Sequence, residues 1–153
     1  MPKLVFICTG NTCRSPMAEF LFNKYIKKYN NLSDWRAVSM GISVSSNQTV
    51  SRNTAKVLAE ENIDSTSHIS KQLNEDILQE SDLILTMAEH HKDLILQRYP
   101  YLKDKLFIIK EYTGYGIGKD ISDPFGGSEE LYRKTREEIK EQILEILKKL
   151  NSK

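Results

Sequence analysis

A nine-residue stretch, Cys8–Pro16, combines a nucleophile with groups that bind anions. A short polar loop between a strand and a helix gathers unpaired backbone N–H groups at the helix N-terminus, where they form an anion site. The planar guanidinium of Arg14 can bind two phosphate oxygens at once. In such a positive field the thiol of Cys8 is expected to lose its proton readily, and the thiolate is the nucleophile. The stretch therefore predicts phosphoryl transfer through a phosphocysteine.

The residues between the cysteine and the arginine suit an anion loop. They are Thr9, Gly10, Asn11, Thr12 and Cys13. Gly10 can adopt a positive φ that turns backbone N–H groups inward, and Asn11 tolerates the left-handed region as well. A cysteine after a strand is usually only a small apolar residue, and a glycine there is usually only a turn. The ordered combination favours a catalytic loop over these structural alternatives.

The elements around this loop must hold it in place. The run Lys3–Ile7 is rich in β-branched and aromatic residues and predicts a strand, and a helix is predicted from Pro16 to Tyr29. The rest of the chain alternates in the same way. Further strands are predicted near 37–40, 83–85 and 106–109, and further helices near 51–62, 74–80, from 86 to before Pro100, and from 128 onward. Ser51 is a candidate helix cap, and Thr86 and Glu89 have the spacing of a capping box.

Alternating strands and helices predict an α/β fold with a parallel sheet and helices on both faces. The apolar run Leu83–Leu85 fits a strand that is covered on both sides. One face of the last helix is apolar and should join the core; it comprises Ile139, Ile143, Ile146, Leu147 and Leu150.

Asp123 is the candidate general acid and base. It follows the fourth predicted strand, as Cys8 follows the first, and ligands bind beyond the carboxyl ends of parallel strands. A carboxyl group there can protonate a leaving group and later activate water. However, Asp-Pro followed by glycines is equally typical of a plain turn, so the residues alone leave both possibilities open. Its neighbour Asp120 is expected to lie in a solvated loop.

The motifs resemble a known family. Cys8–Glu19 resembles the signature of the low-molecular-weight protein tyrosine phosphatases, and Asp123–Gly127 resembles their general-acid loop. Weaker likeness extends over most of the chain, namely Ser39–Gly41, His68, Ser81–Met87 and the final helix. The resemblance implies one phosphatase domain over residues 1–153 with a four-stranded parallel sheet in the order 2-1-3-4.

The resemblance also implies roles for individual residues. It favours the catalytic role of Asp123 over the turn, and it implies that the Ser15 hydroxyl bonds to the Cys8 thiolate. The residues alone would equally allow Ser15 to cap the following helix. We further expect Asn11 to brace the loop with its side chain, together with His68 and Ser39.

Two positions depart from the tyrosine phosphatase pattern. Thr12 stands where those enzymes usually carry an aliphatic residue, and Phe125-Gly126 stands where they carry paired tyrosines. Both departures resemble the bacterial protein arginine phosphatases. A stiff β-branched Thr12 would narrow the pocket, and Gly126 would remove an aromatic wall. We therefore expect phosphoarginine in proteins to be the substrate, with phosphotyrosine as the alternative.

Composition restricts the partners. The 153-residue chain has a net charge of +1, which does not favour nucleic acid or an anionic membrane as a partner. The start Met1-Pro2-Lys3 leads directly into a predicted strand, so neither a signal peptide nor a membrane span is expected. The two cysteines show no zinc-binding pattern and suggest the reducing cytoplasm. We expect a monomer without cofactor or metal.

Other functions fit less well. An arsenate reductase would need further cysteines for its disulfide relay, and none follows Cys13. A non-catalytic phosphate-binding module would not need Asp123. The phosphate loop lacks the Gly-x-x-x-x-Gly-Lys pattern of nucleotide-binding ATPases. His90 and His91 are expected on the surface, so no histidine is assigned to Cys8 and a Cys-His protease is not supported.

Overall fold

Four parallel strands form a single sheet in the computed structural model, which describes residues 2–153. The strands are β1 (Lys3–Cys8), β2 (Arg36–Gly41), β3 (Leu83–Thr86) and β4 (Leu106–Ile108). Their order is β2-β1-β3-β4, which confirms the expected topology. Because β1 is central, Cys8 leaves the sheet beside Gly41 at the end of β2.

Six α-helices accompany the strands in the part of the chain that the structure describes. They are α1 (Arg14–Tyr25), α2 (Arg52–Ala59), α3 (Glu75–Glu80), α4 (Glu89–Arg98), α5 (Ile109–Thr113) and α6 (Glu129–Asn151). Short 3₁₀ turns occupy Ile26–Lys28, Asn30–Leu32 and Pro100–Lys105. The first helix begins at Arg14, earlier than predicted, and gives way to a 3₁₀ turn where α-helix was predicted to continue. The five-residue α5 was not predicted.

Alternate side chains of β1 enter two separate apolar cores. Leu4 and Phe6 pack in a core that includes residues of α1, α2, α5 and α6. Val5 and Ile7 pack on the other face with residues of α3 and α4. Helices therefore cover both faces of the sheet, as predicted. The predicted apolar face of α6 is buried throughout.

Helix caps agree with the sequence in part. The Ser51 hydroxyl accepts the Thr54 N–H at the start of α2, as predicted. The predicted capping box at Thr86 is wrong, because Thr86 lies within β3 and its hydroxyl donates to the Ala88 carbonyl.

A distant side chain caps α4 instead. The carboxylate of Asp120 accepts the backbone N–H of Glu89 at 2.8 Å. Asp120 is exposed, as expected for a loop residue, but it is not merely solvated. It ties the long loop before α6 to the start of α4.

Within residues 2–153, no helix combines the length and apolar character needed to cross a membrane.

Candidate active site

A pocket of about 270 Å³ opens at the carboxyl end of β1, above Cys8. Three segments form it, and they follow β1, β2 and α5 along the chain. The first is the Cys8 loop, residues 8–14; the second is the polar loop after β2; and the third carries Asp123. The lining residues are Cys8, Thr9, Gly10, Thr12, Cys13, Arg14, Ser43, Val44, Ser45, Gln48, Asp123 and Phe125.

Arg14 is buried and held from two sides. Its Nη1 donates to the Ile121 carbonyl at 2.8 Å, and its Nη2 lies 3.6 Å from Oδ2 of Asp123. The Asp123 side chain is 48% exposed, and its Oδ1 accepts the Phe125 N–H. The structure therefore brings together a thiol, a guanidinium and an accessible carboxylate, which are the three groups selected from the sequence.

Asn11 fixes the curvature of the Cys8 loop. It adopts a φ of 58°, whereas Gly10 is not among the described residues with positive φ, so of the two candidates Asn11 takes the left-handed conformation. The asparagine can take this conformation because its buried side chain is fully bonded. Its Oδ1 accepts the Lys71 N–H, and its Nδ2 donates to Ser39 at 2.9 Å. His68 Nε2 bonds to its carbonyl at 2.8 Å, so both expected bracing partners are in place.

The same network orients the Ser15 hydroxyl. Because Oδ1 of Asn11 accepts a backbone N–H, its Nδ2 must be the donor, and it donates to Ser15 Oγ at 2.8 Å. Ser15 Oγ lies 2.8 Å from the sulfur of Cys8, so its own proton can be donated to that sulfur when Cys8 is ionised. Ser15 does not cap α1, whose N-cap position is Cys13 and has no side-chain cap. A hydroxyl that donates to sulfur favours the thiolate.

Burial has the opposite effect on Cys8. It is the largest influence on this group and raises the pKa of the thiol above its ordinary value. The Ser15 hydroxyl, backbone N–H groups of the loop and the Arg14 guanidinium lower that pKa. The expectation of a readily ionised thiol counted only the positive field and omitted the cost of burying a thiolate. Ionisation of Cys8 therefore depends on the donors around it.

Cys13 points towards two neighbouring helices. Both cysteines are free and buried, and the Cys13 sulfur lies 3.4 Å from the Ser51 hydroxyl and 3.5 Å from the Tyr132 hydroxyl. Burial, followed by the contact with Cys13, raises the pKa of Tyr132 to about 12. The phenol therefore stays protonated at neutral pH and can donate to the Cys13 sulfur.

One wall of the pocket escaped the sequence analysis. It consists of Ser43, Val44, Ser45 and Gln48, in the polar loop after β2. Parallel strands place their carboxyl ends on one rim, and this loop follows the strand that neighbours β1. The order of the strands could therefore have identified this loop as part of the site.

His91 was assigned wrongly. It is fully buried, and its Nε2 lies 2.9 Å from the Thr9 hydroxyl. The residue stands in α4, next to the exposed His90, and adjacent histidines at a helix start carry no pattern that separates buried from exposed positions.

The loop after Asp123 carries one aromatic residue, Phe125, and then two glycines. Phe125 is 77% exposed at the pocket mouth. Gly126 follows it with a φ of 78°, a conformation in which a tyrosine would be strained. A single aromatic ring therefore borders the entrance.

A thiol at the end of a central parallel strand, beneath an anion loop and facing a carboxylate, serves phosphoryl transfer and places the protein among the cysteine-dependent phosphatases. The pattern of the family described as low molecular weight phosphotyrosine protein phosphatase matches residues 3–153, and the chain belongs to this family.

Similar proteins are named either as arginine phosphatases or as tyrosine phosphatases. The chain is 37% identical over 147 residues to a protein-arginine-phosphatase of Bacillus subtilis, covering 96% of this chain and 95% of that protein. It is 39% identical over 150 residues to the low molecular weight protein-tyrosine-phosphatase PtpB of Staphylococcus haemolyticus, covering 98% of each. A solved structure of the YwlE arginine phosphatase, a mutant with a phosphorylated active site serine, superposes with a TM-score of 0.90 at 36% identity, covering 97% of this chain and 95% of that one.

Proposed function

We propose that this protein removes phosphate from phosphoarginine residues of proteins through a phosphocysteine intermediate. The observation that carries the proposal is the arrangement at one pocket of the Cys8 sulfur, the Ser15 hydroxyl 2.8 Å from it, and Asp123 beside Arg14. A phosphoryl group bound by the Cys8 loop would meet the nucleophile from below and the carboxyl group from above.

In the first half-reaction the Cys8 thiolate attacks phosphorus. An S–P bond forms while the P–N bond of phosphoarginine breaks, and protonated Asp123 delivers its proton to the leaving guanidine nitrogen. Arg14 and the loop N–H groups bind the equatorial phosphoryl oxygens, whose charge redistributes in the transition state. Ser15 stabilises the thiolate before attack and again when sulfur departs.

In the second half-reaction water attacks the phosphocysteine. Asp123, now ionised, accepts a proton from the water, the S–P bond breaks and inorganic phosphate leaves. The solved relative with a phosphorylated active site serine supports an intermediate carried on the residue that stands at the nucleophile position. All of these steps use groups of the chain itself, so a metal chelator is expected to leave the rate unchanged.

Three features at the pocket support phosphoarginine. Thr12 lines the pocket with a hydroxyl and a methyl group. Asp123 presents a half-exposed carboxyl group, which can form a hydrogen bond to a nitrogen of the guanidine group. Gly126 removes one aromatic wall that would stack on a phenyl ring. The name of the Bacillus subtilis relative agrees with this assignment.

Protein tyrosine phosphatase activity is the second candidate. It is favoured by the tyrosine phosphatase name of the Staphylococcus haemolyticus relative and by exposed Phe125, which can stack on a phenyl ring. The two candidates share every catalytic group and differ only in how the pocket mouth fits the leaving group.

A side-by-side measurement of kcat/KM on matched phosphoarginine and phosphotyrosine peptides tests the proposal. We expect the phosphoarginine peptide to be the better substrate. The reverse preference would overturn the substrate assignment but leave the phosphatase mechanism intact.

Two variants test the mechanism itself. Cys8→Ser should lose turnover while keeping the fold, because an alcohol is not ionised at neutral pH. Asp123→Asn should slow a poor leaving group more than nitrophenolate, which needs little protonation. Turnover by Cys8→Ser, or equal losses on both leaving groups in Asp123→Asn, would contradict the assigned roles.

A further inference from the structure

His91 forms a buried contact behind the Cys8 loop that the mechanism above does not use. Its side chain is fully buried, and its Nε2 lies 2.9 Å from the Thr9 hydroxyl. Its other ring nitrogen, Nδ1, is also buried and has no hydrogen-bond partner among residues 2–153. Thr9 follows the nucleophile directly and lines the pocket. His91 therefore contacts the loop at a residue that also lines the pocket.

The unpartnered nitrogen decides which ring nitrogen carries the proton. If Nδ1 carried it, a buried N–H would have no acceptor, and orphaned buried N–H groups are rare in folded proteins. If Nε2 carries it, the buried Nδ1 is only an acceptor without a donor, and the N–H points at Thr9. The hydrogen bond then runs from the imidazole to the hydroxyl oxygen.

This direction leaves the proton of the Thr9 hydroxyl free. The hydroxyl makes no other hydrogen bond among residues 2–153, and its backbone is held because the Thr9 carbonyl accepts the Ser43 N–H at 3.0 Å. A β-branched side chain with a fixed backbone has few rotamers. The remaining proton can therefore be presented to an anion in the pocket.

We propose that His91 is a positioning residue: it donates Nε2–H to Thr9, and Thr9 in turn donates its hydroxyl proton to a phosphoryl oxygen in the pocket. The inference rests on the proposed function only in that the bound group is a phosphoryl group. It adds a side-chain donor to the backbone N–H groups of the loop and extends the site by a residue from α4.

The surroundings keep the imidazole uncharged. Burial, followed by the nearby charges of His90 and Arg14, lowers the pKa of His91 to about 3. The ring of His90 packs against it with centroids 4.1 Å apart. A neutral ring has one N–H, so the direction of the bond to Thr9 persists across the pH range in which phosphatases are assayed.

Inhibition by inorganic phosphate, with p-nitrophenyl phosphate as substrate, tests the hydrogen-bond chain. Thr9→Val should weaken phosphate inhibition by roughly tenfold or more, the usual effect of losing a hydrogen bond to a charged group. His91→Leu should cause a similar loss, and the double variant should be no worse than Thr9→Val alone. Thr9→Ser retains the hydroxyl and His91→Gln retains a donor, so both should recover most of the binding. Asp93→Asn, at an exposed position of the same helix, is the control and should behave as the wild type.

Additive losses in the double variant would overturn the proposal, because they would show two separate structural effects. The tautomer provides a test on the wild-type protein, independent of catalysis and of any folding defect. Long-range ¹H–¹⁵N NMR correlations should show His91 protonated at Nε2, with no titration between pH 5 and 8. Protonation at Nδ1 would overturn the proposal while leaving the phosphatase assignment untouched.

Discussion

Ser15 is the side chain whose hydrogen bond lowers the pKa of the Cys8 thiol. Its hydroxyl donates to the Cys8 sulfur and opposes the effect of burial. Ser15→Ala should therefore raise the pKa of the Cys8 thiol. The pH profile of Cys8 alkylation by iodoacetamide should then have its midpoint at a higher pH than in the wild type. At neutral pH less thiolate remains, so kcat/KM falls and its acid limb moves to higher pH.

Ser39→Ala serves as the graded control for this measurement. Ser39 contacts the same Asn11 amide but not the sulfur, so its loss leaves the hydrogen bond to Cys8 in place. Its effect on the alkylation profile should be the smaller of the two. An unchanged profile in Ser15→Ala would show that the hydroxyl does not stabilise the thiolate.

Thr12 is expected to select the substrate. Thr12→Ile keeps the β-branched shape and replaces the hydroxyl with a longer aliphatic branch, so the loop should fold unchanged. We expect kcat/KM to fall on the phosphoarginine peptide and to rise on the phosphotyrosine peptide. If the ratio of the two constants stays the same, Thr12 does not determine selectivity.

Cys13 is expected to protect the nucleophile from oxidation. Peroxide should convert Cys8 to a sulfenic acid, which can condense with a nearby thiol to a disulfide that dithiothreitol reduces. After peroxide and dithiothreitol, the wild type should regain more activity than Cys13→Ser. Identical recovery would mean that Cys13, which contacts Ser51 and Tyr132, only packs between the helices.

The sequence identified the chemistry of single residues better than their conformations. Cys8 and Arg14 were selected by type and spacing, and Asp123 with the help of the family resemblance; the fold brings all three to one pocket. Both Gly10 and Asn11 could take a positive φ by residue type, and only the structure shows that Asn11 takes it, stabilised by the hydrogen bonds of its side chain. The burial of His91 depends on what packs around the start of α4, which no local pattern reports.

At the scale of elements, Gly41 lets the end of β2 pass close beneath the Cys8 loop. A Cβ there would lie 2.7 Å from the Thr9 carbonyl oxygen and 3.0 Å from the Asn11 nitrogen, both backbone atoms. Gly41→Ala should destabilise the fold by about 1–3 kcal/mol, as overpacking does, and weaken phosphate inhibition by displacing the loop. Thermal unfolding and phosphate inhibition measure the two effects.

Gly10→Ala is the matched control within the same loop. A Cβ at Gly10 would approach no atom more closely than the Thr12 hydroxyl oxygen at 3.9 Å. Its unfolding temperature should stay near that of the wild type. Equal destabilisation by both substitutions would contradict the close approach inferred at Gly41.

Helices and strands were predicted correctly where residues close in sequence determine them. Ser51 caps α2, and the apolar runs became strands. The start of α4 was not predicted correctly, because the side chain that caps it belongs to Asp120, 31 residues after Glu89. Such a contact is set by tertiary packing, and the short α5 has too few residues to show a helical period.

Across the whole molecule, ion pairs join α2 to α6. Glu60, at the end of α2, bonds to Arg133 and Arg136 of α6. These contacts, that with Arg133 foremost, lower the pKa of Glu60 to about 2. A carboxylate with a lowered pKa adds stability above its ordinary pKa, and that stability is lost as the pH falls towards 2.

Glu60→Gln should therefore flatten the fall in the free energy of unfolding between pH 5 and pH 2. Urea titrations at a series of pH values provide the measurement. Arg133→Gln should flatten it as well, since it removes the main partner. A slope equal to that of the wild type in both variants would show that the pair contributes nothing to folding in acid.

The architecture as a whole was accessible from alternation alone, and the strand order came from the family resemblance. Sequence reasoning placed Cys8 and Asp123 on one rim of the sheet but did not add the loop after β2 to them. The polar loop after β2 became a pocket wall because β2 lies beside β1, and adjacency in a sheet is a property of the assembled chain.

The segment that carries Asp123 is anchored on both sides of its buried residue Ile121. The Ile121 N–H donates to the Met87 carbonyl, its carbonyl accepts Arg14, and Asp120 holds α4. The conformational entropy of placing Asp123 was therefore lost largely once, when the chain folded, rather than at each encounter with substrate. The carboxyl group proposed as the acid already lies beside Arg14, so the site is preorganised before substrate binds.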